Sequence, residues 1–176
     1  MSDSGKSFEL GGVVVPLRAA LNYDQQFEPV ESASFRRMAN GAGIKQTAWS
    51  GKLRVVLSGD GWAPIGLTDL DYSAAMPLRC GMPEAVRANT AVIALPGARR
   101  TDAGYTPFAH AYLPDGSAVE TTVAVVGDVA TCTSVTNAIG YAVWYWPELT
   151  VIAQAPTRGA SASRAEFTWQ IVCDEV

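Results

Sequence analysis

Apolar and polar residues alternate in short runs along this chain, and turn residues interrupt the runs about every ten positions. The clearest alternation lies at 52–58. There Leu53, Val55 and Leu57 alternate with Lys52, Arg54, Val56 and Ser58, which gives a strand one apolar face. In the closing run 167–173, Phe167, Trp169, Ile171 and Cys173 share one face, and Thr168, Gln170 and Val172 share the other. Further strands are expected at 12–17, 34–38, 44–49, 90–95, 141–146 and 149–154, with an extended segment at 21–31 and a strand edge at 76–80, where Pro77 restricts pairing. Asn40-Gly41 is a strong hairpin turn signal. Pro114-Asp115-Gly116 joins the runs 108–113 and 118–126 into a second hairpin, because Pro presets φ and Gly accepts a positive one. Segment 67–72 reads as a short helix or a turn, 130–138 as a strand or an irregular connection, and 157–163 as a small-residue loop. Long helical periodicity is absent. The pattern predicts an all-β, single-domain antiparallel β-sandwich or barrel-like fold of about nine to eleven strands with little helix. That domain is expected over 12–176, behind a polar N-terminal arm at 1–11 that orders only on assembly.

Composition adds a constraint. Of 176 residues, 48% are hydrophobic and 17% charged, against about 25% charged in an average soluble protein. The chain is too apolar for disorder and long enough for one domain with a real core. Few charges are left to cover its surface, which points to surface buried against partners. The formal charge of -4 argues against a general nucleic-acid binder. Arg outnumbers Lys ten to three, a bias suited to desolvated interfaces, since the guanidinium is weakly hydrated and pairs in bidentate fashion. The polar start, Met1-Ser-Asp-Ser-Gly-Lys6, lacks the apolar run of a signal peptide, and no apolar stretch is long enough to span a bilayer. Synthesis in the cytoplasm is expected, with Cys80, Cys132 and Cys173 as reduced, mostly buried thiols, the alternative being one disulfide with a spare thiol.

Candidate chemistry is sparse. His110 is the only histidine, so any Ser-His-Asp system rests on it, and no GxSxG motif accompanies it. It is expected between aromatic neighbours in its strand. Asp69 and Asp71 would point the same way on an extended segment, but Glu84, Asp102, Asp115, Glu120 and Asp128 sit in or near expected turns, and no pair is singled out for glycoside chemistry. The EF-hand pattern is missing around Asp60, Asp69 and Asp71. Gly59-Asp60-Gly61 begins like a dinucleotide loop, but Pro64 stands where its last Gly belongs, and there is no Walker pattern. No catalytic, cofactor-binding or metal-binding residue is assigned, and no enzymatic activity is expected. The aromatics, Trp49, Trp62, Trp144, Tyr145, Trp146 and Trp169 among them, have three candidate uses: core filling, an inter-subunit interface, or a platform for sugar rings. The expected interface set is Arg36, Arg37, Trp62, Arg99, Arg100, Tyr145 and Trp146.

The stretch Ser34-Phe-Arg-Arg-Met-Ala-Asn-Gly-Ala-Gly-Ile-Lys-Gln-Thr-Ala-Trp-Ser-Gly-Lys-Leu-Arg54, followed by Ser58-Gly-Asp-Gly-Trp-Ala-Pro-Ile-Gly-Leu67, Leu70-Asp-Tyr72 and Pro77-Leu-Arg-Cys80, resembles small tail proteins of tailed bacteriophages. The closing Ala165-Glu-Phe-Thr-Trp-Gln-Ile171 strand is similar to the ends of such β domains. The resemblance implies a virion structural protein of the tail, of tail-tip or baseplate type, that joins neighbouring tail components and forms a homo-oligomer within the assembly. It brings no catalytic residues and no membrane or nucleic-acid partner. The other function weighed is a carbohydrate- or receptor-binding module on a tail fibre, which would present Trp62 or Trp146 beside polar turns to a host-surface glycan.

Overall fold

Strand content follows the alternation: among the described residues 57% are strand and 2% helix, in several antiparallel sheets of an all-β, sandwich-like fold. The computed structural model describes residues 7–176. Residues 1–6, part of the expected N-terminal arm, lie outside the described residues. The remainder of that arm is built into the fold, since Phe8 and Leu10 are fully buried and Glu9–Leu10 is a strand. Where one β domain was expected from residue 12 onward, the chain divides into two compact units, Met1–Pro77 with Thr150–Val176, and Leu78–Leu149. Local alternation reports which face of a strand is apolar, not which core receives it.

The first unit opens with β1 (Glu9–Leu10) and β2 (Val13–Val14), a 3-10 turn at Leu17–Ala19, then two long strands, β3 (Asn22–Arg37) and β4 (Gly43–Gly61). The chain crosses into the second unit within β5 (Met76–Arg79). It returns within β13 (Glu148–Ala153) and ends with β14 (Thr157–Ser161) and β15 (Glu166–Glu175). The strand order is β2-β1-β5-β13-β15-β4-β3, with β14 also on β15. The segment expected as a small-residue loop at 157–163 is thus partly strand, because β15 supplies it a ladder from Thr157↔Gln170 to Ser161↔Glu166. The expected helix or turn at 67–72 is turns.

The axis of this sheet is the ladder between β4 and β15, from Phe167↔Gly61 to Asp174↔Arg54. It sets Cys173 opposite Val55 and Ile171 opposite Leu57, and all four are buried. Trp169 falls opposite Gly59, and its indole lies so close that a Cβ on residue 59 would stand 2.7 Å from it. The indole Nε1–H donates to the Ala19 carbonyl at 2.6 Å, and its ring lies 5.5 Å from that of Phe8. A buried indole needs a hydrogen-bond partner, and the short turn after β2 supplies it. Burial pushes the neighbouring Cys173 thiol up to about 12, so it stays a thiol. All three cysteines are buried, as the sequence predicts.

The second unit is a small sandwich. One sheet has the order β10-β11-β7 and the other β6-β12-β8-β9. The strands are β6 (Glu84–Ala88), β7 (Val92–Ala94), β8 (Phe108–Tyr112), β9 (Ala118–Thr121), β10 (Val123–Val126), β11 (Val129–Cys132) and β12 (Gly140–Tyr145). The hairpin predicted around Pro114-Asp115-Gly116 is β8–β9, with Tyr112 opposite Ala118. The run expected as one strand at 118–126 breaks at Thr122, after which β10 pairs with β11 in the other sheet. Inward residues of both sheets form one core: Ile93, Leu95, Ala130 and Cys132 against Ala109, Ala111, Tyr141, Val143 and Tyr145.

Trp169→Ala is expected to cost about 3–5 kcal/mol, the range for truncating a buried aromatic, read as a lowered denaturation midpoint. An unchanged midpoint would place the indole outside the core. A second test concerns acid. The Arg100 guanidinium hydrogen-bonds the Asp102 carboxylate at 2.7 Å and holds it below the usual carboxylate range. A depressed carboxylate stabilises the fold above its unfolded value, about 3.9, and that stability fades as pH falls through the lower folded value. Asp102→Asn should therefore flatten the acid limb of stability against pH while lowering stability at pH 7.

Candidate functional site

β3 has 16 residues and β4 has 19, whereas β15 has 10. The β4–β15 ladder ends at Asp174↔Arg54. Beyond it β3 and β4 pair only with each other, out to Arg37↔Gly43, and form a projecting arm. Every residue from 31 to 52 is exposed. The Asn40-Gly41 turn predicted from the sequence closes the tip, where Met38 N–H and Gly41 N–H donate to Ala42 and Met38 carbonyls at 2.9 Å.

The root of the arm is built by charge and backbone. Past the last ladder pair, the Leu53 N–H has no strand to meet on the β15 side, and the Glu175 carboxylate accepts it at 2.8 Å. Arg54 donates to Asp174 at 2.7 Å, and Lys52 Nζ to the Val176 carbonyl at 2.7 Å. Pro29, opposite Leu53, sits on the edge strand, where its missing N–H costs no ladder bond. The register slips between Val30↔Lys52 and Ser32↔Trp49, and Gly51 takes φ +84° there. This is a β-bulge, which adds local twist and re-aims the strand. The strands expected separately at 44–49 and 52–58 are one continuous strand that the glycine bends. A second slip follows between Ser32 and Ala33.

Cross-strand pairs assign the two faces of the arm. Phe35 opposes Lys45, and Ala33 opposes Thr47. Arg37 shares that face, its guanidinium 6.0 Å from the Phe35 ring centre, as does Glu31, which pairs with Lys45. The other face carries Arg36 opposite Ile44, Ser34 opposite Gln46, and Ser32 opposite Trp49. Phe35 is 66% and Trp49 49% exposed, with Ile44 and Met38 also open to solvent. Four large apolar side chains thus stand on an arm with no core of its own. Isolated two-stranded hairpins are marginal in water, and exposed apolar residues so grouped mark an interaction surface.

The residues expected at an interface divide sharply. Arg36 and Arg37 lie on the arm, and among the described residues neither is in an ion pair with a carboxylate. Trp62 is exposed in the loop after β4. The others, Arg99, Arg100, Tyr145 and Trp146, are interior to the second unit and not at its surface. Trp146 is 1% exposed and donates from Nε1 to the Gly81 carbonyl at 3.2 Å. Tyr145 belongs to the sandwich core. Arg100 is 5% exposed, with its guanidinium 3.2 Å from the Tyr105 ring centre and bonded to Asp102 and the Cys80 carbonyl. The Arg99 guanidinium is also buried, held by Asp128 at 2.8 Å and by the Pro96 and Gly127 carbonyls. These arginines are consumed by internal partners, which a doublet in sequence does not reveal. Phe35, Met38 and Ile44 were missed. Their sequence signal is an apolar residue inside each of the expected strands 34–38 and 44–49.

The candidate chemistry stays dispersed. Among the described residues no group of three His, Cys, Asp or Glu side chains is placed to hold a metal ion. His110 packs edge-on to Trp144 at 4.8 Å and to Phe108 at 5.8 Å, and among the described residues its buried Nδ1 meets no hydrogen-bond partner. Phe108 and Trp144 stack at 5.3 Å between β8 and β12, both half-buried. Among the described residues no helix is long and apolar enough to cross a membrane.

Because residues 31–52 are all exposed, Phe35→Ser with Trp49→Ser should change the unfolding free energy by less than about 0.5 kcal/mol, as is usual for surface sites. A loss of several kcal/mol would show that the arm is part of the folded core. Hydrogen exchange should meanwhile find amides 31–52 among the fastest in the sheet for the isolated chain.

Comparison with known proteins finds no matching family model, curated protein or solved structure.

Proposed function

We propose that this chain is a structural subunit of a bacteriophage tail, of tail-tip or baseplate type, made in the host cytoplasm and carried in the virion, with no chemistry of its own. The observation that carries the reading is the arm at 31–52, wholly exposed and bearing Phe35, Met38, Ile44 and Trp49. A catalyst gains nothing from an exposed apolar arm with no core of its own, whereas a subunit that joins its neighbours does. The stretch from Ser34 to Arg54, which bears most of the resemblance to phage tail proteins, coincides with this arm. In this reading the arm inserts between adjoining tail components. Its apolar residues fill pockets, and its two free edges offer backbone N–H and C=O groups for strand addition.

A second reading, a carbohydrate- or receptor-binding module on a tail fibre, draws on exposed Trp62 and on the half-buried Phe108–Trp144 stack. Flat aromatic faces are platforms for sugar rings. That reading leaves the arm without a use.

The test is made on purified particles of a phage carrying this chain. Mass spectrometry should find it as a stoichiometric component, and Phe35→Ser with Trp49→Ser should leave soluble, folded chain outside tailless or incomplete particles. A chain absent from wild-type particles overturns the proposal. Glycan binding lost on Trp62→Ala, with arm variants assembling normally, would favour the second reading.

A further inference from the structure

The arm differs from the rest of the chain in sign as well as in exposure. Residues 31–52 hold Arg36, Arg37, Lys45 and Lys52 against Glu31, a net charge of +3, so with -4 overall the remainder carries -7. The cations border both apolar faces: Arg37 and Lys45 lie with Phe35, and Arg36 lies with Ile44 and Trp49. The body carries exposed carboxylates in both units, among them Asp24, Asp69 and Asp71 in the first and Asp115, Glu120 and Asp128 in the second. From this complementarity we infer that the arm's partner is a second copy of the same chain, taken head to tail, with the basic arm of one copy laid on the acidic body of the next. The inference rests on the reading of the arm as an assembly element and adds the identity and polarity of its partner.

Charge decides between the two ways in which identical chains can meet. An isologous pairing of arm with arm would oppose +3 to +3 and bring Arg36 and Arg37 against their own copies. Like charges brought together in a forming interface are costly. Placing an arm on a neighbour's body reverses the sign of the interaction and leaves the neighbour's own arm free. Such a contact is heterologous, and repetition closes it into a ring or extends it as a filament. A negatively charged polymer or lipid surface would also attract four cations, but the body's excess of carboxylates opposes its approach.

The experiment uses full-length chain throughout. Light scattering and sedimentation over concentrations up to about 1 mM should show wild-type self-association. It should weaken at least tenfold between about 50 mM and about 500 mM salt, as screening shortens the reach of the charges. A variant with Arg36→Glu, Arg37→Glu and Phe35→Ser should be monomeric, with an unchanged melting temperature, since all three positions are exposed. Mixed with wild type it should still accept an arm on its intact body while donating none, and so shorten the assemblies in proportion to its share. A variant that is monomeric yet inert in mixtures would establish arm-to-arm pairing and overturn the inference. Wild type that stays monomeric at every concentration also overturns it, and arm-dependent incorporation into particles would then leave the tail-subunit reading standing with a different partner. Arm-dependent binding to duplex DNA or anionic vesicles without self-association would likewise overturn it.

Discussion

The β4–β15 ladder is the interaction on which the first unit depends, and its length is its most consequential property. It orders the core by bringing Val55, Leu57, Ile171 and Cys173 together and by seating the Trp169 indole over Gly59. It also stops at Arg54, well before β4 does. A strand that outruns its partner must either bend back onto the sheet or leave it with whatever neighbour it has. β4 leaves with β3, and the switch is marked by three local devices. A carboxylate takes the first orphaned N–H, a proline sits opposite, and a glycine bulge turns the strand. The first two satisfy or remove a backbone group at the sheet's end, and the third re-aims the strand.

The two units show different ways of filling an interior. The first packs large side chains around one indole, with Phe8 and Tyr23 rings close to it. The second relies on small ones, with Ala109, Ala111 and Ala130 beside Tyr141 and Tyr145. Its interior also takes in Arg100. A buried guanidinium is tolerable only when its charge and donors are met, and here Asp102, the Cys80 carbonyl and the Tyr105 ring meet them.

Face assignments were legible where a strand has one wet side. The alternations at 52–58 and 167–173 put Val55, Leu57, Trp169, Ile171 and Cys173 inward, and they are inward. Turn chemistry located both hairpins at Asn40-Gly41 and Pro114-Asp115-Gly116. Continuity was not legible. The segments 34–38, 44–49 and 52–58 read as separate short strands, but they belong to two long ones, because Gly51 serves a bulge and not a turn. Strand identity at Thr157–Ser161 comes from the β15 ladder, since Gly, Ala and Ser have little propensity to declare it locally. The fate of Arg99, Arg100, Tyr145 and Trp146 was hidden for a related reason. Their partners, Asp128, Tyr105 and the Gly81 carbonyl, are distant or unremarkable in sequence, and only tertiary structure brings them within reach.

An arm with two unpaired edges and four bare apolar side chains is also a hazard to its own synthesis. Strands of that kind recruit one another into open-ended aggregates. In this chain Phe35 is followed directly by Arg36 and Arg37, which also precede Met38, and Ile44 is followed directly by Lys45, so three of the four large apolar residues on the arm stand next to a cation. Such residues act as gatekeepers, raising the cost of stacking identical segments in register. Two copies of the chain therefore repel at the segments most prone to misassociate, and the arm's own charges hold its bare apolar residues apart.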